Sequence, residues 1–526
     1  MRLTKRFRSN ATNPIKASIV KRNVLHKSLA ANIQRMKHDL GNSTDVVIRE
    51  IRIGKDGNQM AGLVYTDGLA DTKLISDFIM ESVMLDMKAI QIRSTPQSRP
   101  NPVQILKDYA ITVGEISSLT QYKDLYQSVL SGSTVIMLDG YEEAISIGTH
   151  GWQERGVTEP SAESVVRGPR EAFSENLRTN TALIRRKIRD PKLWLETRLI
   201  GRVTHTEVSF MYIQGIANDK VVQEVRERLD RIDIDGILES GYIEELIQDE
   251  AYTPFPTVYN TERPDVVAAE LLEGKIAILI DGTPFVLIVP ALFVSFLNSA
   301  EDYYHRADIS SLVRMLRYVG FFIALLGPSL YVAITTFHQE MLPTQLLIGL
   351  AAQREGVPFP AFLEAVMMEI AFEILREAGL RMPRTIGPAV SIVGTLVIGQ
   401  AAVEAGIVSA AMVIVVSTTA IASFVFPSYS MANSVRMLRF PLMALAASFG
   451  LFGVIVGIFA IVLHLCSLRT FGVPYMSPFA PFNIQGQEDA VFRMPQWMMR
   501  TRPGLIARKN IKRSNNRRPQ KPKPKG

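Results

Sequence analysis

The chain has 526 residues, a formal net charge of +7 and 47% hydrophobic residues, a mixture that suits neither a wholly soluble nor a wholly membrane-embedded protein. Residues 1–310 are densely charged, 318–468 are mostly apolar, and 500–526 carry eleven Lys and Arg with no Asp or Glu. The single cysteine, Cys466, excludes an internal disulfide, and seven histidines without an HExxH or HxxxH pair argue against a catalytic metal centre.

The N-terminus is basic but leads into no apolar h-region, so no cleaved signal peptide is expected and the charged part is expected to be cytoplasmic. Residues 1–45 read as a basic, flexible arm in which Ser28–Ile33 is a weak helical stretch. From there 46–150 reads as an α/β subdomain. Val46–Ile53 alternates apolar and polar residues as a strand does, 55–58 signals a turn, and Met60–Tyr65 returns as the second strand of a hairpin. Thr72–Met87 places Leu74, Ile75, Phe78, Ile79 and Val83 at helical spacing.

Residues 151–193 read as basic linker helices, with Arg167, Arg170, Arg178, Arg185, Arg186, Lys187 and Arg189 close together. Aromatic residues do not interleave with this run and no RRM, KH or helix-turn-helix pattern surrounds it, so nucleic acid is not the expected partner. Contact with anionic lipid head groups or an acidic neighbouring subunit is expected instead, with Arg167 and Arg170 as candidate subunit contacts.

A second α/β subdomain, 194–300, repeats the first. Val64–Lys73 matches Met211–Lys220 at a constant offset of 147, and Val135–Tyr141 has its counterpart in Ala277–Thr283, each an apolar run entering an Asp-Gly turn. The repeat guards against a hydropathy error. Ile276–Asn298 is apolar enough to pass as a membrane span, yet its twin is not one, so 276–289 reads as a buried hairpin and 291–297 as the start of a helix.

Residues 301–470 read as a helical transmembrane domain of four to six segments, followed by a polar basic tail, 471–526. The clear apolar segments are Val319–Phe337, kinked at Gly327-Pro328, then Ile386–Val403, Ile407–Phe426 and Pro441–Leu468. Between the first two lies Phe359–Ala378, interrupted by Glu364, Glu369, Glu373 and Glu377, the last three on one helical stripe. Carboxylates facing lipid are costly, so this stripe must face water, protein or an interfacial boundary. One expectation is a ring of such helices around a water path, with Val366, Met367 and Ile370 as the apolar constriction. The alternatives are a helix lying on the membrane surface and a helix whose carboxylates are neutralised by arginines such as Arg376. Charge leaves the topology open: the basic tail and Arg314/Arg317 ask for one side, but four crossings cannot place Arg376, Arg381, Arg384, Arg436 and Arg439 there as well.

Four stretches then share one likeness: 164–173 (SVVRGPREAF), 281–285 (DGTPF), 375–383 (LREAGLRMP) and 392–406 (IVGTLVIGQAAVEAG). They resemble the GerA family, the A subunits of bacterial spore germinant receptors, over roughly 45–490. The resemblance implies a multi-pass protein of the spore inner membrane with its N-terminal region facing the spore core. It also implies a transporter-like B subunit and a lipoprotein C subunit as partners. Assembly as a homo-oligomer, a pentamer, into a nutrient-gated channel releasing monovalent cations is part of the same expectation. An auxiliary germination channel of the same family is the alternative. From another class, a secondary ion-coupled transporter would also use membrane carboxylates, although no inverted repeat is found among the spans. Glu369 and Glu373 are spaced to share a proton, but no nucleophile or metal ligand accompanies them, so no enzyme, catalytic residue, cofactor or metal is expected.

Overall fold

The computed structural model describes residues 23–53, 59–76, 103–104, 115–151, 160, 163, 165–382, 399–507, 509–515 and 518–519. Two compact units emerge, one drawn mainly from residues before 289 and the other from 165–168, 247–259 and 289 onward.

The first unit holds two five-stranded sheets built to one plan. Strands β1 (Val46–Ile53), β2 (Gln59–Thr66), β3 (Ile116–Leu119), β4 (Thr134–Leu138) and β5 (Ala144–Ile147) are ordered β1-β2-β4-β5-β3. Strands β6 (Leu193–Ile200), β7 (Thr206–Ile213), β8 (Tyr259–Thr261), β9 (Ile276–Ile280) and β10 (Val286–Val289) follow the same order, β6-β7-β9-β10-β8. Apolar alternation sets both faces of the first sheet. Leu63, Tyr65, Ile136 and Leu138 join one core cluster, while Val64, Val135 and Met137 join another with the helices on the opposite face.

Each sheet is preceded by a helix that the Asp-Gly turn holds. Asp139 Oδ1 accepts the N–H of Leu29, the first residue of α1 (Leu29–Asp39), at 2.8 Å. Asp281 Oδ1 accepts the N–H of Leu177, the first residue of the helix Leu177–Lys187, at 3.0 Å. Asn32 and Asn180 then bond, each through both ends of its amide, to the backbone six residues earlier, at His26 and Ser174. The duplicated unit therefore begins before the first strand. Two readings are corrected by this. The described part of 1–45 is not a loose arm, because α1 buries Leu29, Ile33 and Met36 against the sheet. The basic stretch before 193 supplies α3 (Leu177–Lys187), the opening helix of the second repeat, after α2 (Tyr122–Leu130) of the first. Its Arg185 is fully buried, grips Asp45 through Nε and Nη2 at 2.7 and 2.9 Å, and donates to the Leu193 carbonyl at 2.7 Å. The remaining helices of this unit among the described residues are α4 (Asp219–Asp230), α5 (Ser240–Ile247) and α6 (Pro264–Leu272). Residues 276–289 form two neighbouring strands as the repeat required, followed by a short 3-10 turn at Phe293–Phe296. The helix expected at Thr72–Met87 starts at Thr72, capped by Asp71; its course past Ser76 lies outside the described residues.

The second unit is helical. Its longer described helices are α7 (Ala307–Phe337), α8 (Thr344–Arg354), α9 (Ala361–Arg381), α10 (Ala410–Ser423) and α11 (Tyr429–Ser467). Among the described residues, α7 and α11 are long and apolar enough to cross a membrane, and α10 is a shorter apolar helix. Of the segment read at Ile386–Val403, residues 386–398 lie outside the described residues and 399–403 are helical.

The 39-residue α11 is not one rod. At Gly450 the backbone adopts φ 63° and ψ −143°, a conformation open to glycine. Beyond it the chain runs back: a Cβ on Gly457 would lie 2.5 Å from Leu442 Cδ2, and Met443, Ala446 and Val454 share one core cluster. The two ends of the element also meet the same short segment, His464 Nε2 with Thr253 Oγ1 at 2.9 Å and Ser434 Oγ with the Pro254 carbonyl. It is a helical hairpin whose legs are each roughly 25–30 Å long, close to the thickness of a bilayer core.

Contacts fix the sense of the other helices in this unit. The C-terminal end of α7 meets the hairpin tip, since a Cβ on Gly450 would lie 3.0 Å from Phe337 Cβ. Helix α10 runs against α7, with Gly320 near Ala422 and Gly327 near Thr419. Helix α9 runs against the first leg, with Glu369 paired to Arg439 and Glu373 to Arg436. The segment after the hairpin is not a free polar tail over its described length: Phe471, Val473, Tyr475, Ala490, Met499, Ile506 and Ala507 are buried. Arg314 of α7 holds part of it, through Asp489 Oδ1 at 2.6 Å, while also pairing with Asp302 at 2.9 Å.

Candidate functional site: the glutamate helix

Helix α9 follows Pro360 and is rich in Ala, Leu, Met and Glu, all strong helix formers. Its four glutamates are all answered by arginines. Glu364 is fully buried; its Oε2 accepts from the Ser409 N–H at 3.0 Å and hydroxyl at 2.9 Å, and Arg354 lies 3.4 Å from Oε1. Ser409 is the N-cap of α10, so this carboxylate sits at the positive end of a helix dipole. Glu369, also fully buried, forms an ion pair with Arg439 of the first hairpin leg. Glu373 lies between Arg376 at 3.2 Å and Arg436 at 3.4 Å, and the more exposed Glu377 meets Arg381 at 2.7 Å. These pairings meet the cost of charge in an apolar helix within a single copy of the chain.

The apolar candidates divide differently. Val366 is half-buried against a cluster containing Val332, Ala361, Ala365 and Met412, and Met367 is half-buried too. Ile370 is 47% exposed and Ile374 63%, so the outward face of α9 is the stripe Leu363, Ile370, Ile374, Glu377, Arg381. Beside it lies a groove of about 610 Å³ that Phe440 of the hairpin also lines. Glutamates 364 and 369 thus point into the bundle, and Ile370 and Glu377 point out of it.

Of the basic stretch, Arg185 is spent on Asp45 and Lys187 meets Glu171 at 3.0 Å, while Arg178 lies 3.6 Å from both Asp67 and Glu207. Arg167 and Arg170 are exposed, and between them Gly168 (φ 145°) packs so closely on Tyr304 that a Cβ would lie 2.7 Å from its ring. Two carboxyls of the first unit are shifted upward. Burial pushes Glu244 up to about 7, opposed by a hydrogen bond from Asn260 and reinforced by Glu239. Burial likewise pushes Glu163 up to about 7, against the Thr261 hydroxyl and Arg263. Among the described residues no group of three or more His, Cys, Asp or Glu side chains could hold a metal ion.

Sequence reasoning missed Arg354, Ser409 and the pairing roles of Arg436 and Arg439. The available signal was spacing: arginines at 436 and 439 match glutamates at 369 and 373 once two antiparallel helices face each other.

A duplicated α/β region followed by a helical part with apolar helices of membrane-spanning length defines the class of protein. The family model described as "Bacillus/Clostridium GerA spore germination protein" matches residues 34–505, and the chain belongs to that family. It is 50% identical to "Spore germination protein KA" of Bacillus subtilis (strain 168) over 94% of this chain and 90% of that protein. It is also 38% identical to "Spore germination protein GerLA" of Bacillus cereus over 92% of this chain and 97% of that protein. Among solved structures, the N-terminal domain of the A subunit of the Bacillus megaterium spore germinant receptor GerK3 matches at 44% identity. The match covers 51% of this chain and 97% of that chain, with a TM-score of 0.41.

Proposed function

We propose that this protein is the A subunit of a spore germinant receptor and that copies of it assemble in the spore inner membrane into a nutrient-gated cation channel. A transporter-like B subunit and a lipoprotein C subunit are its partners in this reading, and it performs no catalysis. The observation that carries the receptor role is the near full-length likeness to spore germination proteins. Helix α9 supports the channel role. Its inner glutamates are paired with arginines of the same chain, leaving an outer stripe in which apolar Ile370 and Ile374 precede charged Glu377. Repeated around an axis, that stripe gives an apolar constriction followed by a charged ring, the two elements a gated cation path needs.

The helix directions support a six-crossing topology. Helix α7 and the first hairpin leg run one way, and α9, α10 and the second leg run back. By composition, the apolar run 386–403 is long enough for the one further crossing this topology needs. The segment after the second leg then lies on the side where α7 begins; Arg314, Arg317, Arg376, Arg381 and Arg436 fall in the half nearer that side, and Arg439 lies mid-leg. This meets the charge asymmetry that four or five crossings could not, and it supports the reading in which the N-terminal region faces the spore core.

Cysteine accessibility tests the reading in the Cys466→Ser background. Ile370→Cys and Ile374→Cys should react with water-soluble thiol reagents in the assembled receptor, with a rate that changes on nutrient addition, while Ala365→Cys should stay protected. Equal protection of all three positions in both states would overturn the assignment of α9 to the ion path.

A further inference from the structure

Pro328 stands inside α7 and has no N–H to offer the carbonyl four residues earlier, that of Ala324. Ala324 is fully buried, where an unmet carbonyl is costly. The partner comes from another helix: Arg439 Nε, on the first hairpin leg, donates to the Ala324 carbonyl at 2.8 Å. The same guanidinium, through Nη1, forms the buried ion pair with Glu369 of α9, both side chains being 1% exposed. Three elements therefore meet at one side chain. Arg439 Nη2 and Glu369 Oε1 are buried without hydrogen-bond partners, so the pair is a single-point contact and not a locked two-pronged fork.

We propose that Arg439 is a positioning residue that couples the proline break of α7 to the glutamate helix. A proline inside a helix is a site where the helix bends, and here the bend is bridged by a group anchored to α9. A change of angle at Ala324–Pro328 must either break the Arg439–Ala324 bond or carry Arg439 with it, and Glu369 and the adjoining outer face at Ile370 follow. The coupling rests on α9 lining the ion path, and it names the residue through which movement of α7 reaches that path. Arginine is required by geometry: its planar fork presents donors to two acceptors at once, whereas a lysine ammonium reaches them only as a point charge.

Four full-length proteins test the tie: wild type, Arg439→Gln, Pro328→Ala and the double variant, purified in detergent and melted. Alanine at 328 restores an N–H for the Ala324 carbonyl, so Arg439→Gln should lower the melting midpoint less in that background than alone. Additive midpoints would overturn the tie to Ala324. The second readout is basal potassium efflux from phosphatidylglycerol vesicles carrying the receptor without nutrient. Arg439→Gln should raise it roughly 2- to 30-fold, the range expected for a coupling residue remote from the ligand, with Arg439→Lys in between. Arg439→Lys also serves if the glutamine variant does not fold. Wild-type basal efflux in both variants, from vesicles where nutrient does trigger flux, would overturn the coupling alone. Absence of any triggered flux in wild type would instead overturn the channel reading, and the midpoints then decide the tie by themselves.

Discussion

The hairpin within α11 makes a prediction that a straight helix cannot meet. Cysteines replace Leu442 and Gly457, with Cys466→Ser so that no other thiol is present. A continuous helix would hold positions 442 and 457 roughly 22 Å apart, at about 1.5 Å of rise per residue. Folded at Gly450, a Cβ at 457 lies 3.8 Å from Leu442 Cγ and 2.5 Å from its Cδ2. Shortening the leucine removes that second, closer contact and leaves the γ position of residue 442, where the cysteine sulfur sits, 3.8 Å from the 457 Cβ, within reach of a disulfide after a small adjustment. Copper-phenanthroline oxidation in native membranes should then protect both thiols from a maleimide-polyethylene glycol reagent, and reduction should restore two additions. Peptide mass spectrometry should find the two segments linked within one chain. Two reactive thiols after oxidation, in protein that still assembles, would refute the hairpin and with it the proposed six-crossing topology.

Two further outcomes concern the α/β region. Arg185→Met leaves Asp45 buried without its partner, and loss of one member of such a pair costs about 3–5 kcal/mol, so the melting transition of the first unit should fall steeply. Burial raises the Glu244 pKa from an ordinary 4.5 to about 7, so between those values the folded chain holds a proton that the unfolded chain has lost. Stability should therefore decline as pH rises across that window, and Glu244→Gln should flatten the decline in thermal scans; an unchanged slope would exclude Glu244 as its source.

Several features were legible because their signal is local. Val46–Ile53 and its return strand follow from alternation and a turn, and the paired Asp-Gly turns announced the duplication. That duplication also kept 276–289 out of the membrane, where hydropathy alone would have placed it. The same local view misjudged 23–45, since α1 is polar by composition and its few apolar residues, Leu29, Ile33 and Met36, become a core face only when the sheet is beside them. The basic run misled in a related way: Arg185 counts as surface charge in a sequence, and only the approach of Asp45, 140 residues earlier, makes it a buried strut.

For the glutamate helix the division is sharper. Composition and spacing by themselves determined that Phe359–Ala378 is a helix whose carboxylates require water or partners, because the cost of a bare charge in an apolar setting holds in any fold. Which of these each carboxylate receives depends on which helix lies opposite, in what direction and at what register, and none of that is encoded within the segment. Folding back at Gly450 turns an apparent single helix into two. Antiparallel contact then sets Arg436 and Arg439 against Glu373 and Glu369, and the Pro328 gap in α7 opens beside the same guanidinium. The sequence stated the electrostatic debt of each residue; distance between helices, a quantity that exists only in three dimensions, decided how it was met.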